Sequence, residues 1–421
     1  DRPGVTLVYS VSKTFTALAA GFAHGEGALH PHDRLVEVFP EAADAAGPRA
    51  ARLRVHHLLS MSTGHRTDTL DTVLASGARS DSALVRAFLS CEPEEEPGTW
   101  FVYHNGASLA LSAAIQRRTG SPLLDYLRPR LLDPVGITDA AWTRRAGLDL
   151  GYSGLHTTTD ALARLGQLLL DDGRWEGVPV LPPGWAEQVR HLHTSTAHHP
   201  ETADWQSGYG YQVWHGRHGS YRADGAYGQF AVVLPESGVV VALTAATEHT
   251  AGLLDAIWDE LLPALSDTPL DDDPDARSSL TRHLGSRALE AVSSSTPPQG
   301  QGPWHYEHEP TGEHPLLRSV TVRPAGAALA SSGAAWELAI DDGDVLLVAC
   351  ADGAWPDHHG AAWVASGGWS SPGVFEARVV ARETPHTLTL RCSDGRVSAA
   401  WEVAPLQAPV LASLCAPHVH R

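Results

Sequence analysis

Two hydrophobic patterns divide the chain. Up to about residue 262, several stretches repeat apolar side chains at three- and four-residue spacing, which is typical of amphipathic helices. Two apolar runs, 230–234 and 239–244, flank Pro235-Glu-Ser-Gly238 and predict a hairpin of buried strands. The predicted helices are 10–24, 83–91, 108–119, 161–170 (entered through Thr159 and Asp160 as its cap) and 251–262. Helices that precede a late hairpin predict an α/β sandwich with an antiparallel sheet.

The pattern changes after residue 263. Residues 264–302 are rich in Asp, Ser and Pro, with a short amphipathic stretch at about 280–292, which is typical of a linker. From 303 onward apolar and polar positions alternate, and Asp341-Asp-Gly-Asp344 and Ser393-Asp-Gly395 separate pairs of strand-like runs. The sequence therefore predicts an α/β domain at 1–263, a linker at 264–302 and an all-β, barrel-like domain at 303–421.

Composition and charge narrow the possible partners. The formal net charge is −19, and nucleic acids and anionic membrane surfaces both bind basic patches, so neither is an expected partner. No apolar run approaches the ~20 residues of a membrane-spanning helix. The 24 histidines and four cysteines show no recognised metal-ligand spacing, so we expect no metal, no cofactor and reduced thiols. We expect a cytoplasmic protein that acts on a small molecule or peptide, and its oligomeric state stays open.

Lysine occurs once in the chain, at Lys13, while arginine supplies every other basic residue. Arginine stays protonated in proteins, whereas a buried lysine can lose its proton and act as a base. Lys13 follows Ser10 by three positions on a predicted helix, so the two side chains share one face. The pair supplies a nucleophile and a base, and the N–H of Ser10 can donate to a developing oxyanion. The same spacing also fits a helix-capping serine beside a solvated lysine.

A second group of polar residues, Tyr103-His-Asn105, follows a Pro97-Gly loop and precedes a predicted helix. If this turn faces the same pocket, Tyr103 can pass protons to and from a leaving group, and Asn105 can hold a substrate amide and the lysine. By itself the triplet also fits a buried core tyrosine beside a turn asparagine.

Together, Ser10-Val-Ser-Lys13 and Tyr103-His-Asn105 resemble the first two motifs of the serine β-lactamase and penicillin-binding family, specifically its class C β-lactamase, esterase and D-aminopeptidase branch. Segments at 55–64, 134–137, 157–160 and 208–211 are also similar, and the resemblance covers residues 5–262. It implies the β-lactamase-like fold and catalytic roles for Ser10, Lys13 and Tyr103. The β-rich tail is similar in architecture to the lipocalin-like domains of D-aminopeptidase relatives and of peptide-cyclising thioesterases.

The third motif departs from the family pattern of Lys-Thr-Gly or His-x-Gly. The register of the predicted hairpin places Ala223-Asp-Gly225 there. Gly225 still lets a substrate lie close to the strand, and the resemblance implies that the N–H of Ala226 is a second oxyanion donor. The cation that would hold a β-lactam carboxylate is missing. We expect Arg222 on the opposite face of the strand, unless a β-bulge at Asp224-Gly225 rotates it into the pocket.

Three further features lie outside the motifs. His249 follows the last predicted strand, where the resemblance implies a substrate contact, although a histidine near a helix start is an equally simple interpretation. Nine residues precede Ser10, where the resembled family places a helix and two strands, so we expect that the chain is truncated or that those strands are lost. A truncated sheet would expose an apolar edge. The run Glu92-Pro-Glu-Glu-Glu-Pro97 is interpreted as a solvated acidic loop.

The leading interpretation is a cofactor-free serine hydrolase that cleaves an ester or amide through a Ser10 acyl-enzyme, of the esterase or D-amino-acid amidase type. Three alternatives stay open. They are a penicillin-binding-protein-type thioesterase that cyclises a nonribosomal peptide, a β-lactamase, and a non-enzymatic sensor or binder that traps an acyl group slowly.

Overall fold

The computed structural model describes residues 4–266, 268–308, 314, 316–357, 360–407 and 410–417. Within these residues the chain forms two compact units, which are treated separately below. The first runs to Asp255 and includes residues 416 and 417, and the second is Ala256–Cys415. The domain boundaries predicted from the sequence, at 263 and 302, stay predictions.

The helices and strands are numbered in chain order. The α-helices are α1 (Val11–Gly25), α2 (Leu35–Val38), α3 (Val55–Leu59), α4 (Leu70–Ala75), α5 (Asp81–Leu89), α6 (Asn105–Thr119), α7 (Leu123–Leu127), α8 (Thr159–Leu170), α9 (Trp185–Arg190), α10 (Ala203–Gln206), α11 (Thr250–Ala256), α12 (Pro274–Gly285) and α13 (Ala327–Ala330). The strands of the first unit are β1 (Thr6–Leu7), β2 (Ala140–Trp142), β3 (Arg144–Arg145), β4 (Leu148–Asp149), β5 (Leu155–Thr157), β6 (Arg174–Trp175), β7 (Val178–Pro179), β8 (Trp214–His215), β9 (Tyr221–Gly225), β10 (Gln229–Leu234) and β11 (Val239–Leu243). Those of the second are β12 (Trp304–His308), β13 (Ser319–Pro324), β14 (Trp336–Asp341), β15 (Val345–Ala351), β16 (Trp363–Ser371), β17 (Val374–Ala381), β18 (Thr387–Ser393) and β19 (Arg396–Trp401).

An antiparallel sheet in the order β11-β10-β9-β8 organises the first unit. The predicted hairpin is confirmed, with Phe230 opposite Leu243 and Leu234 opposite Val239. Helix α8 packs on this sheet at close range, since a Cβ on Gly166 would lie 2.5 Å from Val240 Cγ1. Strand β11 is apolar and half-buried along its whole length, and it is an edge strand of this sheet within the described residues.

Helix α1 is the centre of the first unit. The sequence predicts an amphipathic helix, but the residues from Val11 to Ala23 are all buried, and α1 packs against α6 and β9. A helix enclosed on all sides must satisfy its polar side chains internally. Thr14 and Thr16 do so through the carbonyls of Gln212 and Gly151. This enclosure removes the Lys13 side chain from solvent.

Several predicted helix ends differ from the structure, and two of the differences have a local cause. Helix α8 is capped by Thr158, whose hydroxyl accepts from the N–H of Ala161, and the residues predicted as its cap lie within its first turn. The helix predicted at 251–262 is α-helical only over Thr250–Ala256, and a π-helical segment, Ile257–Leu261, follows. Pro263 follows after Leu262 and has no N–H with which to extend an α-helical ladder.

The second unit contains a closed barrel of eight strands, β12 to β19, in sequence order. Most neighbours are antiparallel, whereas β15–β16 and the closing pair β12–β19 are parallel. Strand β17 alternates between buried and half-buried residues, as the period of two predicts. Asp394 and Gly395 both have positive φ, of 51° and 72°, which is typical of a type I′ hairpin turn. The all-β prediction for this region is confirmed.

The segment predicted as a linker has order of its own among its described residues. Helix α12 is exposed throughout and begins at an Asp273 cap, so it lies earlier than the amphipathic stretch predicted at about 280–292. Residues after this helix are hydrogen-bonded to the barrel. The N–H of Val292 donates to Ser366 Oγ, and the N–H groups of Ser295 and Thr296 donate to the carbonyl of Trp369. No helix among the described residues is long and apolar enough to cross a membrane.

Candidate active site

Ser10 lies at a tight turn between strand β1 and helix α1. Tyr9, just before it, has a φ of +48°, in a region that is uncommon for residues other than glycine. The N–H groups of Val11 and Ser12 donate to the carbonyls of Val8 and Tyr9, which fastens the turn. Strained backbone of this kind persists where the surrounding structure holds it, often at a functional site. The Ser10 side chain is partly exposed, so a ligand can reach it.

Lys13 is held against Ser10 in a buried position. Its Nζ lies 2.8 Å from Ser10 Oγ and donates to the carbonyl of Tyr152 at 2.8 Å. The residue is only 1% exposed. Burial lowers its pKa to about 7 because the charged ammonium loses its hydration, and the charges of Asp68 and Asp224 partly oppose this shift. A substantial fraction of the amine is therefore neutral near pH 7.

Tyr103 lies close to both Lys13 and Ser10. The Lys13 Nζ is 4.6 Å from the centroid of the tyrosine ring, and that ring stacks on Trp214 with centroids 5.5 Å apart. Burial raises the pKa of Tyr103 well above its usual value, while a hydrogen bond with the Ser10 side chain opposes the rise. Tyr103 is therefore a neutral phenol at physiological pH and has a proton to donate.

Asn105 begins helix α6, two residues after Tyr103. Its Nδ2 donates to Asp68 Oδ2 at 2.8 Å, and the other Asp68 oxygen accepts the N–H groups of Gly106 and Leu70. With its nitrogen bound in this way, Asn105 has its carbonyl oxygen left for another donor. The sequence analysis missed Asp68, because an aspartate in a polar loop carries no signal of its partner 37 residues away.

Gly225 ends strand β9 beside the nucleophile turn, and Ala226 follows it. A Cβ on Gly225 would lie 2.3 Å from the carbonyl oxygen of Val8, so only glycine permits this approach. The ring of Tyr227 meets that of Tyr9 edge to face at 5.3 Å, which brings the turn after β9 to the residue before Ser10. Within the described part of the chain, the N–H groups of Ser10 and Ala226 donate no backbone hydrogen bond.

His249 is not brought to this group by any contact among the described residues. Its side chain is exposed and lies against its own helix, where a Cβ on Gly252 would meet the imidazole ring at 2.4 Å. Its N–H donates to Thr247 Oγ1 at 3.0 Å. A substrate contact for His249 stays a prediction.

Arg222 and Asp224 form a buried ion pair on β9. The pairing of β9 with β10 is regular from Tyr221 to Gly225, so no bulge rotates Arg222. Arg222 is fully buried, and its Nε donates to Asp224 Oδ2 at 2.9 Å while Nη1 donates to the carbonyl of Asp204 at 2.9 Å. Trp205 Nε1 donates to the same Asp224 oxygen at 3.1 Å. The charge of Arg222, which only a bulge would have turned into the pocket, is thus paired with Asp224.

The acidic run at 92–97 is largely exposed, and several of its carboxylates also pair with arginines. Glu95 pairs with Arg66, and Glu96 pairs with Arg49 and Arg52. Glu92 accepts the N–H of Arg49 at 2.8 Å. These arginines come from distant segments, so the pattern of the run itself did not indicate the pairing. No group of His, Cys, Asp and Glu side chains within the described residues could hold a metal ion.

The chain is similar to known proteins in sequence and in structure. The beta-lactamase family model matches residues 4–266. Penicillin-binding protein 4 of Amycolatopsis lactamdurans is 28% identical over 298 residues, which cover 61% of this chain and 76% of that protein. The 6-aminohexanoate-dimer hydrolase of Paenarthrobacter ureafaciens is 26% identical over 196 residues, which cover 44% of this chain and 50% of that protein.

A solved structure extends the likeness to the second unit. The octameric penicillin-binding protein homologue from Pyrococcus abyssi has a TM-score of 0.51 and 15% identity, and the match covers 94% of this chain and 89% of that one. At this identity the match concerns the fold alone. The family model, in contrast, spans more than half of the chain and includes Ser10, Lys13, Tyr103 and Gly225. The chain belongs to the beta-lactamase family and is an enzyme.

Proposed function

We propose that the protein is a serine hydrolase that cleaves an ester or amide bond through an acyl-enzyme on Ser10. The observation that carries this proposal is the buried Lys13 amine, 2.8 Å from the Ser10 hydroxyl and with its pKa lowered to about 7. A neutral amine at this distance can accept the hydroxyl proton as Ser10 attacks a carbonyl carbon. An arginine at the same position would remain protonated and could not act in this way.

Tyr103 is the proposed donor to the leaving group. Its pKa is raised by burial, so the phenol holds its proton at neutral pH, and its hydrogen bond with Ser10 brings it to the reacting atoms. When the tetrahedral intermediate breaks down, the bond to the leaving oxygen or nitrogen breaks and Tyr103 supplies the proton. Lys13 returns a proton to Tyr103, and water then hydrolyses the acyl-enzyme by the same route in reverse.

The backbone N–H groups of Ser10 and Ala226 are the proposed oxyanion donors. Neither N–H group donates a backbone hydrogen bond within the described residues. The close approach of Gly225 to the carbonyl of Val8 supports the closeness of these two N–H groups. Donors of this kind act on charge that develops in the transition state. The carbonyl oxygen of Asn105, held in place by Asp68, is proposed to accept the N–H of an amide substrate.

Esters and amides are favoured over β-lactams as substrates. Ala223 stands where a cation would hold a β-lactam carboxylate, and Arg222 is bound to Asp224. The relative named as an aminohexanoate-dimer hydrolase supports an amide substrate.

A serine-directed fluorophosphonate probe tests the nucleophile. Wild type and Ser12→Ala are expected to be labelled and to hydrolyse a nitrophenyl ester, because Ser12 Oγ is used structurally, by Tyr9 and Leu155. Ser10→Ala is expected to lose both properties, with a fall in rate on the order of 10⁴-fold or more. Labelling that persists in Ser10→Ala would overturn the assignment. A single burst without turnover would instead indicate an acyl-trapping protein.

A further inference from the structure

Met61 is the single methionine of the chain and binds the backbone on both sides of Tyr103. It lies in a turn just after helix α3, fully buried, with a φ of +55°. Its carbonyl oxygen accepts the N–H of Val102 at 3.2 Å, and its Sδ accepts the N–H of His104 at 3.1 Å. These two residues come directly before and after Tyr103. The proposed proton donor therefore lies between two residues that both bind to Met61.

The sulfur of Met61 is the acceptor for a buried backbone N–H group. His104 is fully buried, and no backbone carbonyl in the described parts of the chain accepts its N–H. Its imidazole is used elsewhere, because Nε2 accepts the N–H of Thr69 at 3.0 Å and Nδ1 lies 3.0 Å from Thr63 Oγ1. A thioether sulfur is a weak acceptor, but a buried N–H with no acceptor is costly. Loss of the sulfur should therefore let the backbone next to Tyr103 shift.

Gln212 fixes the turn that carries Met61 relative to helix α1. Its side chain is buried, and its φ is +58°. Its Nε2 donates to the carbonyls of the last two residues of α3, at 3.0 Å each. Its own carbonyl accepts the hydroxyl of Thr14, which directly follows Lys13, at 2.8 Å. Hydrogen bonds and one short stretch of backbone thus connect the residue after the proposed base to the residues that flank the proposed acid.

We propose that Met61 is a positioning residue for Tyr103, and that its sulfur keeps the phenol aligned to protonate the leaving group. This inference rests on the proposed acyl transfer through Ser10 and adds a residue that lies outside its catalytic group. A displacement of about 1 Å at a catalytic group can lower a rate on the order of 10²-fold. A nitrophenolate can leave without a proton, whereas an alkoxide needs one. Misalignment of Tyr103 should therefore slow the release of basic leaving groups selectively.

Replacement of Met61 by norleucine tests this directly, because norleucine has a methylene group in place of the sulfur and nearly the same shape. With only one methionine among the 421 residues, residue-specific incorporation changes no other position of the chain. The substrates are the 4-nitrophenyl, phenyl and ethyl esters of one acid. After the replacement, kcat/KM is expected to fall by about 10- to 100-fold for the ethyl ester and by less than about threefold for the nitrophenyl ester, with the phenyl ester between them. Selenomethionine retains an acceptor atom and should keep the wild-type ratios among the three esters.

Tyr103→Phe shows whether the effect passes through Tyr103. This variant alone should also lower kcat/KM most for the ethyl ester. Because both changes affect the same proton transfer, norleucine in the Tyr103→Phe background should change the ratio of the ethyl and nitrophenyl values by less than about threefold. Met61→Leu also removes the sulfur and tests the inference if the norleucine protein fails to fold. Leu131→Met is a matched apolar exchange at a buried position of the same unit and should leave the ratio unchanged.

Equal losses on the three esters, unchanged rates, or additive losses with Tyr103→Phe would overturn the inference, because Met61 would then act on the fold alone or not at all. Fluorophosphonate labelling of Ser10 reports on the proposed function separately. Wild-type protein that is not labelled, or Tyr103→Phe with an unchanged ratio, would mean that the proposed function has failed. A changed ratio in Tyr103→Phe together with an unchanged ratio after the replacements of Met61 would overturn the inference alone.

Discussion

The two compact units differ in where some of their cationic side chains lie. In the barrel, ion pairs between strands, such as Arg378–Glu402 and Arg391–Glu376, lie at the surface with side chains 22–55% exposed. In the first unit, Lys13 is buried beside Ser10, and Arg222 is buried on β9 in a pair with Asp224. Burying a charge is costly unless it is paired or neutralised, whereas an exposed pair contributes little either way. The costly arrangement occurs around the nucleophile, which is where perturbed groups serve chemistry.

The two units also differ in how far their buried side chains take part in hydrogen bonds. The inward-facing residues of the barrel are mostly apolar, for example Leu388, Phe375 and Val379, and they contribute mainly by packing. Around Ser10, in contrast, a carbonyl from Tyr152 and carboxylates from Asp68 and Asp224 point at other polar groups. The barrel core should therefore tolerate apolar exchange with a loss of stability only, whereas the site should lose activity when a single polar atom changes.

The largest effect is expected for Lys13→Arg. Arginine keeps the positive charge but cannot give up its proton, so the base is lost while the cation remains. The rate of ester hydrolysis should fall by at least about 10²-fold, the low end for general-base catalysis. Steady-state kinetics with a nitrophenyl ester measure the loss. Near-normal activity would mean that Lys13 has only an electrostatic or structural role.

The second-largest effect is expected for the discrimination against β-lactam substrates. A charge-assisted contact to a carboxylate contributes about 1.5–3 kcal/mol. Because Ala223 cannot make this contact, kcat/KM for a β-lactam should be lower by roughly ten- to a hundredfold. A chromogenic cephalosporin measured beside a nitrophenyl ester checks this. Efficient cephalosporin turnover that is lost in Arg222→Ala would contradict the prediction, since it would mean that Arg222 leaves Asp224 to hold the carboxylate.

The pH dependence follows from the lowered pKa of Lys13, about 7. Because the neutral amine is the base, kcat/KM should fall about tenfold per pH unit below 7 and level off above it. The same shift affects stability. The unfolded chain binds a proton at Lys13 up to about pH 10.5, so the free energy of unfolding should rise with pH between 7 and 10.5 relative to Lys13→Met. A flat difference between these two proteins over that window would show that Lys13 keeps its proton.

The smallest kinetic effect is expected for the barrel variant Leu388→Ala. Leu388 is fully buried in the barrel core, so the substitution should destabilise the second unit by about 2–5 kcal/mol. At a temperature where the protein stays folded, the rate of ester hydrolysis should change by less than about twofold. Denaturation curves and kinetics on the same sample check both parts. A large fall in kcat without unfolding would mean that the barrel takes part in catalysis.

Local signals in the sequence were sufficient for several features. The spacing of Ser10 and Lys13 on one helix, the hairpin after Gly225 and the paired strands of the barrel depend on neighbours a few residues apart. Periodicity and turn residues encode these features directly, so they could be predicted without the fold. The single lysine was a compositional signal of the same kind.

The tertiary structure alone decided which polar groups surround Ser10. Lys13 meets a carbonyl 139 residues away, and Asn105 meets Asp68 across 37 residues. Nothing in the local pattern of either partner indicates the other, because such contacts depend on how helices and strands pack. The pairing of Arg222 with Asp224 could not be predicted either, although the two residues are only two positions apart. Only burial on the same side of β9 makes that pair an enclosed ion pair.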